Sequence, residues 1–135
     1  MKSENIIVDK TFKFSLDIIS LFKKLQDERE FIISRQLLKS ATSIGANVEE
    51  ATAAQSKRDF ISKMSIASKE ARETKYWLRL LEDSEITKIE VSNHLNEITH
   101  IINIITKIII TAQKILTTLN YKKLEHLKFI IQNSK

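Results

Sequence analysis

The stretch VSNHLNEITHIINIITKIIITAQKILTTL, residues 91–119, decides the fold. In it Val91, Leu95, Ile98, Ile102, Ile105, Ile109, Ala112, Leu116 and Leu119 recur at alternating steps of four and three. That spacing is the seam of a helix packed along its length. Ile101, Ile104, Ile108 and Ile115 lie beside the seam and widen the apolar face. The most apolar run, residues 101–110, is broken by Asn103, Thr106 and Lys107, well short of the roughly 20 residues a membrane span needs. No membrane partner is expected.

The rest of the chain has the same period. Residues 30–54 carry Leu37, Ala41, Ile44, Val48 and Ala51 at helical steps, and residues 57–83 carry Phe60, Met64, Ala67, Ala71 and Leu78. Ser56 fits the N-cap of that third helix, with Asp59 three positions on. Residues 9–25 offer two faces: Phe12, Leu16 and Ile19, or Phe14, Ile18, Leu21 and Leu25. The 135 residues contain no Pro and one Gly, Gly45, so turns are few and helices long. Gly45 falls inside the second helix, where it is read as permitting close approach of a neighbour. The chain is therefore expected to be one all-α domain over residues 1–135, an antiparallel up-down-up-down four-helix bundle. Its helices would cover about 9–25, 30–54, 57–83 and 87–119, followed by a basic tail, 120–135.

Three helices carry more apolar surface than one bundle core requires. The second stripes, with Ile66, Tyr76, Trp77 and Leu80 on the third helix and Phe14, Ile18 and Leu21 on the first, are assigned to contacts between copies. A homo-oligomer is the resulting expectation.

Catalytic chemistry finds little footing. Without cysteine there is no disulfide or thiolate metal site, which suits a cytoplasmic protein. Glu97 and His100 have the Glu-x-x-His spacing of di-iron bundles, but no second such pair exists, and both point off the Ile98 seam. His94 and His100 lie on different faces, and one glycine cannot make a phosphate loop. No catalytic residue, metal site or cofactor is assigned, and the protein is read as a non-enzyme.

Charge is unevenly placed. Residues 1–102 hold 16 basic and 16 acidic side chains, so the whole net charge of +5 falls in residues 103–135. Lys107, Lys114, Lys122, Lys123 and Lys128 form one basic set there, and Arg72, Lys75 and Arg79 form another on the third helix. Such concentrations attract polyanions, so these eight residues are the candidate nucleic-acid contacts. Leu124, Leu127 and Ile131 give the tail helical spacing. The segment is short for a membrane-surface helix but able to dock on a neighbouring subunit or another protein.

The segment QLLKSATSIGANVEEA, residues 36–51, with Asp59-Phe60 and Ala71-Arg72-Glu73 downstream, resembles the signature of the 23S rRNA intervening-sequence protein family. The resemblance covers about residues 10–119 and is strongest over 36–81. Two positions depart from it: Gly45 and Ala51 stand where the family often has Pro and Gly. It implies a four-helix bundle assembled as a ring, commonly a homopentamer, in a family whose genes lie within intervening sequences of bacterial large-subunit rRNA. Related proteins are nucleic-acid-binding accessories to reverse transcriptases. Asn47 and Glu50 match family positions, and no catalytic residue comes with them. The leading expectation is a homo-oligomeric RNA- or DNA-binding protein favouring structured RNA. The alternative is a protein-interaction scaffold with no nucleic-acid role.

Overall fold

The computed structural model describes residues 2–134, with side chains from Ile6 onward. Four helices account for nearly all of it: α1 (Lys2–Asp27), α2 (Ile33–Thr52), α3 (Lys57–Ser84) and α4 (Ser92–Gln132). Each packs against its neighbours in chain order, and α4 returns to α1, closing a four-helix bundle. Pairings run in opposite senses along adjacent helices. Thr11 and Ser15 of α1 face Gly45 and Ala41 of α2. Ser40 and Glu50 of α2 face Thr74 and Lys63 of α3.

The core is built from the expected stripes. Leu37, Ala41, Ile44, Val48 and Ala51 of α2, and Phe60, Met64, Ala67, Ala71 and Leu78 of α3, are all buried. On α1 the inward face is Ile7, Phe14, Ile18, Leu21 and Leu25. This overturns the assignment of Phe14, Ile18 and Leu21 to contacts between copies, since none is more than 2% exposed within one chain. The competing face, Phe12 and Leu16, is the one left in solvent, at 63% and 52%. The inward stripe is the longer one, because Thr11 completes it. Its hydroxyl donates to Ile7 O at 2.8 Å, which makes a buried threonine acceptable.

Helix boundaries follow from local chemistry. After α1 the chain turns at Arg29, whose φ of 65° reverses direction. Glu30 then caps α2: its carboxylate accepts from the backbone N–H of Ile32 (3.1 Å), Ile33 (2.8 Å) and Ser34 (2.7 Å). Those are the otherwise unpaired donors of a helix start, and a negative charge there also suits the helix dipole. Gln26 donates to buried Ser34 Oγ at 2.9 Å, tying the end of α1 to the start of α2. Ser56 caps α3 as its sequence suggested, accepting from Asp59 N at 3.0 Å.

Two helices outrun their sequence-derived limits. α1 begins at Lys2, well before Asp9, and α4 does not stop near Leu119 but continues to Gln132. Ile98, Ile101, Ile102, Ile105 and Ala112 anchor α4 in the bundle. Beyond the half-buried Leu116, every described residue is exposed. By length and composition alone α4 could cross a membrane, although the apolar run within it is interrupted in sequence.

Gly45 sits inside an unbroken α2, and a Cβ placed there would meet Thr11 O and Ser15 Oγ at 3.5 Å, an ordinary contact. The approach of α1 therefore does not require glycine. Gly45→Ala is expected to raise stability by about 0.5–1 kcal/mol through helix propensity, read as a higher thermal midpoint. A second prediction concerns His94, half-buried where α4 meets α1, with Nδ1 buried and without a hydrogen-bond partner. Burial holds its pKa below the ordinary value, Asp17 opposing and Lys24 reinforcing the shift. The unfolded chain then binds a proton that the native state resists, so stability falls as pH drops below about 6.5. His94→Gln should flatten that slope in denaturation midpoints measured between about pH 8 and pH 5.5.

Candidate nucleic-acid interface

Arg72, Lys75, Tyr76 and Arg79 succeed one another at helical steps of three, one and three, so α3 presents them as one face. The core stripe fixes which way that face turns. With Ala71, Thr74 and Leu78 directed inward, the cationic face lies toward α4. There it forms one wall of a groove whose other wall is Thr99, Asn103 and Thr106, with Ile102 between them. Ile102 is only 8% exposed and gives the groove an apolar floor.

The electrostatics of this groove are one-sided. Three cations line it and no carboxylate does. Among the described residues none of the three forms an ion pair. Thr99 and Thr106 donate their hydroxyls to Leu95 O (2.8 Å) and Ile102 O (2.7 Å) of their own helix. Asn103 is exposed and keeps an amide at the groove's edge. Tyr76, 52% exposed, packs edge-on against Trp77 with ring centroids 5.1 Å apart. That contact steadies the one aromatic ring on the groove wall. A cleft with three cations, an amide and one ring suits phosphates and sugars of a nucleic acid.

The other candidate residues are distributed as follows. Lys107 and Lys114 are exposed and follow Asn103 along the same side of α4, at steps of four and seven. They prolong the basic strip beyond the groove. Lys122 and Lys123 turn to other sides of the helix, and Lys128 contacts Glu125 at 3.4 Å. The five α4 lysines therefore do not make a single patch. Of the proposed contacts between copies on α3, Ile66 and Tyr76 are exposed and Trp77 and Leu80 half-buried. Trp77 rests against the core and donates from Nε1 to Glu73 Oε2 at 3.3 Å.

Asn47 and Glu50 do not build a pocket. The Asn47 amide donates to Ser43 O at 2.9 Å within its own helix, and Glu50 meets Lys63 in solvent at 3.5 Å. Glu97, part of the isolated Glu-x-x-His spacing, is bound to Lys10 at 2.8 Å and ties α4 to α1. A smaller cleft there is lined by Lys10, Asp17, His94 and Glu97 among others, with its charges of both signs. Among the described residues no group of three potential ligands could hold a metal ion.

The α4 wall of the groove was not legible beforehand. In the sequence Asn103 and Thr106 figure only as breaks in an apolar run, and the packing of α3 is what gives them and Thr99 a cationic neighbour. No spacing rule within α4 points to them.

Comparison with known proteins supplies a context for this geometry. The profile of the family described as 23S rRNA-intervening sequence protein matches residues 3–107. Among solved structures, the chain is similar to a protein of unknown function from the S23 ribosomal protein family of Bacteroides thetaiotaomicron. The identity is 45% and the TM-score 0.75, over 79% of this chain and 97% of that one. No curated protein matches the chain. The groove, including Arg72, Lys75, Arg79 and Asn103, lies wholly inside the family match, whereas residues 108–135 lie outside it. The matched region spans all four helices of the bundle, and the chain belongs to the 23S rRNA-intervening sequence protein family.

Proposed function

We propose that this protein is a non-enzymatic, cytoplasmic nucleic-acid-binding protein that grips the backbone of structured RNA through the α3–α4 groove. The observation that carries this reading is the concentration of Arg72, Lys75 and Arg79 in a groove without a carboxylate. Lys107 and Lys114 lengthen the strip, and the family's association with ribosomal RNA agrees in kind. Binding of this sort is dominated by counterion release, hence salt-sensitive and weakly selective for sequence. Tyr76 alone offers a ring, which suits a folded RNA better than a splayed single strand.

The test is a titration of structured RNA against salt. Arg72→Gln with Lys75→Gln and Arg79→Gln should lower affinity and reduce the slope of log K against log salt by about 2–3. An unchanged slope overturns the groove as the contact surface. If the unaltered protein binds no RNA even at low salt, a protein-interaction scaffold becomes the better reading.

We also propose that the protein works as a homo-oligomer, a ring and specifically a pentamer. Ile66 on α3, and Phe12 and Leu16 on α1, are each at least 40% exposed, and Trp77 and Leu80 widen the α3 patch, while Tyr76 at its margin is left to the groove. Apolar surface of this extent favours association. A ring would repeat the groove, so that modest contacts combine on one RNA. Light scattering should give a mass several times that of one chain, reduced by Ile66→Lys with Leu80→Lys. The mass of a single chain at micromolar concentration for the unaltered protein overturns the assembly.

A further inference from the structure

The outer third of α4 has no counterpart in the nucleic-acid reading. Residues 117–134 are exposed throughout, and α4 carries sixteen of them, 117–132, as unbroken helix past the last half-buried side chain, Leu116. At 1.5 Å per residue that is about 24 Å of helix outside the bundle. Leu124 and Leu127 are each 50% exposed, and Ile131 is 69% exposed.

Most of the apolar side chains here share one face, although the exposed Tyr121 and Phe129 turn away from it. At about 100° per residue, Ile115, Leu119, Leu124, Leu127, Ile130 and Ile131 share one arc of roughly 180°. The centre of that arc falls in line with Ile98, Ile105 and Ala112, which the bundle buries. The same face of one helix is thus covered at its start and bare at its end. Charge is arranged around it. Lys122 borders the arc on one side and Lys128 on the other, while Lys123 lies near its centre and must reach sideways along its stem. The only acid in the segment, Glu125, is held by Lys128.

We infer that the projecting end of α4 lies on an anionic lipid surface, with its apolar arc in the headgroup–acyl boundary and Lys122, Lys123 and Lys128 at the phosphates. A second copy of the chain is the poorer occupant. It would bring an excess of like charge together, with Glu125 as the segment's single acid to offset it. RNA would satisfy the lysines and leave the apolar arc in water. A bilayer bearing negative headgroups takes both, because lysines that border or interrupt an interfacial apolar face extend their ammonium groups outward along its edge. Continuity with the bundle removes the objection of length. A short tail would have to nucleate its own helix, whereas this segment only propagates one that Ile98, Ile105 and Ala112 already hold.

The test is flotation of the full-length protein with vesicles of phosphatidylcholine, alone or mixed with phosphatidylglycerol. The protein should float with the mixed vesicles only, and less so as salt rises. Lys122→Gln with Lys123→Gln and Lys128→Gln should weaken partitioning roughly a hundredfold, each lysine near such a surface being worth about fivefold. Leu124→Gln with Leu127→Gln and Ile131→Gln should abolish it. All six positions are exposed, so neither set should alter the thermal midpoint of the bundle. Failure to float with mixed vesicles at low salt overturns the inference. So does undiminished flotation of the apolar variant, which would make the contact a charge effect alone. A change in the apolar variant's mass in solution, without vesicle binding by the parent, would assign the face to a second copy instead. Arg72→Gln with Arg79→Gln should leave flotation unchanged, so this inference and the groove's role in RNA binding fail separately.

Discussion

Small side chains are fully buried on both α2 and α3, Ala41 and Ala51 on one and Ala67 and Ala71 on the other, and these two helices share the most extensive seam of the bundle. Inside that seam the hydroxyls of Thr74 and Ser40 lie 2.8 Å apart. Thr74 Oγ1 is also 2.8 Å from Glu70 O, and Ser40 Oγ is 3.3 Å from Leu37 O. Sliding either helix by a turn separates the pair; Glu70 O and Leu37 O still accept from the two hydroxyls, so the loss is the single bond between helices, about 0.5–1.5 kcal/mol. Small residues allow the approach, and the hydroxyl pair selects one register from those that smooth alanine surfaces would tolerate. The rotation of α3 follows, and with it the direction in which Arg72, Lys75 and Arg79 face. The groove lies on the side of α3 opposite that hydrogen bond.

Much of this architecture was legible in the sequence, because long helices with strict apolar periods leave few alternatives. The inward stripes of α2 and α3 could be read residue by residue, and so could Ser56 as a cap. α1 was ambiguous because both of its faces satisfy helical spacing. Thr11, a polar residue in the correct series, disguised the longer one, and only its bond to Ile7 O reconciles it with burial. The Glu30 cap was hidden for another reason. The residue sits two positions before the nominal cap, Ile32, and reaches forward to the helix after a left-handed turn at Arg29.

The candidate site divides along the same line. A cationic face at Arg72, Lys75 and Arg79 is a property of one helix, so spacing reveals it. The opposing wall belongs to another helix, and its composition of threonine and asparagine has no signature of its own. The exposed lysines of α4 looked like one basic tail when counted along the chain. Wound on a helix they part company: Lys107, Lys114 and, two heptads further on, Lys128 keep to one side, whereas Lys122 and Lys123 turn away from it. Counting charge along a chain and placing it around an axis give different partners.

α4 has neither glycine nor proline along its 41 residues, so nothing in it acts as a hinge. Its tip is consequently held in phase with its root, and orientation is transmitted along the shaft like the setting of a key. Inserting one residue near Gln113 would turn everything beyond it by about 100° and advance it only about 1.5 Å. Inserting seven would restore the orientation nearly completely while lengthening the shaft by about 10 Å. Along this helix length is an adjustable quantity and angle is not, which makes the protein's outer end a clock hand fixed to the bundle rather than a loose tether.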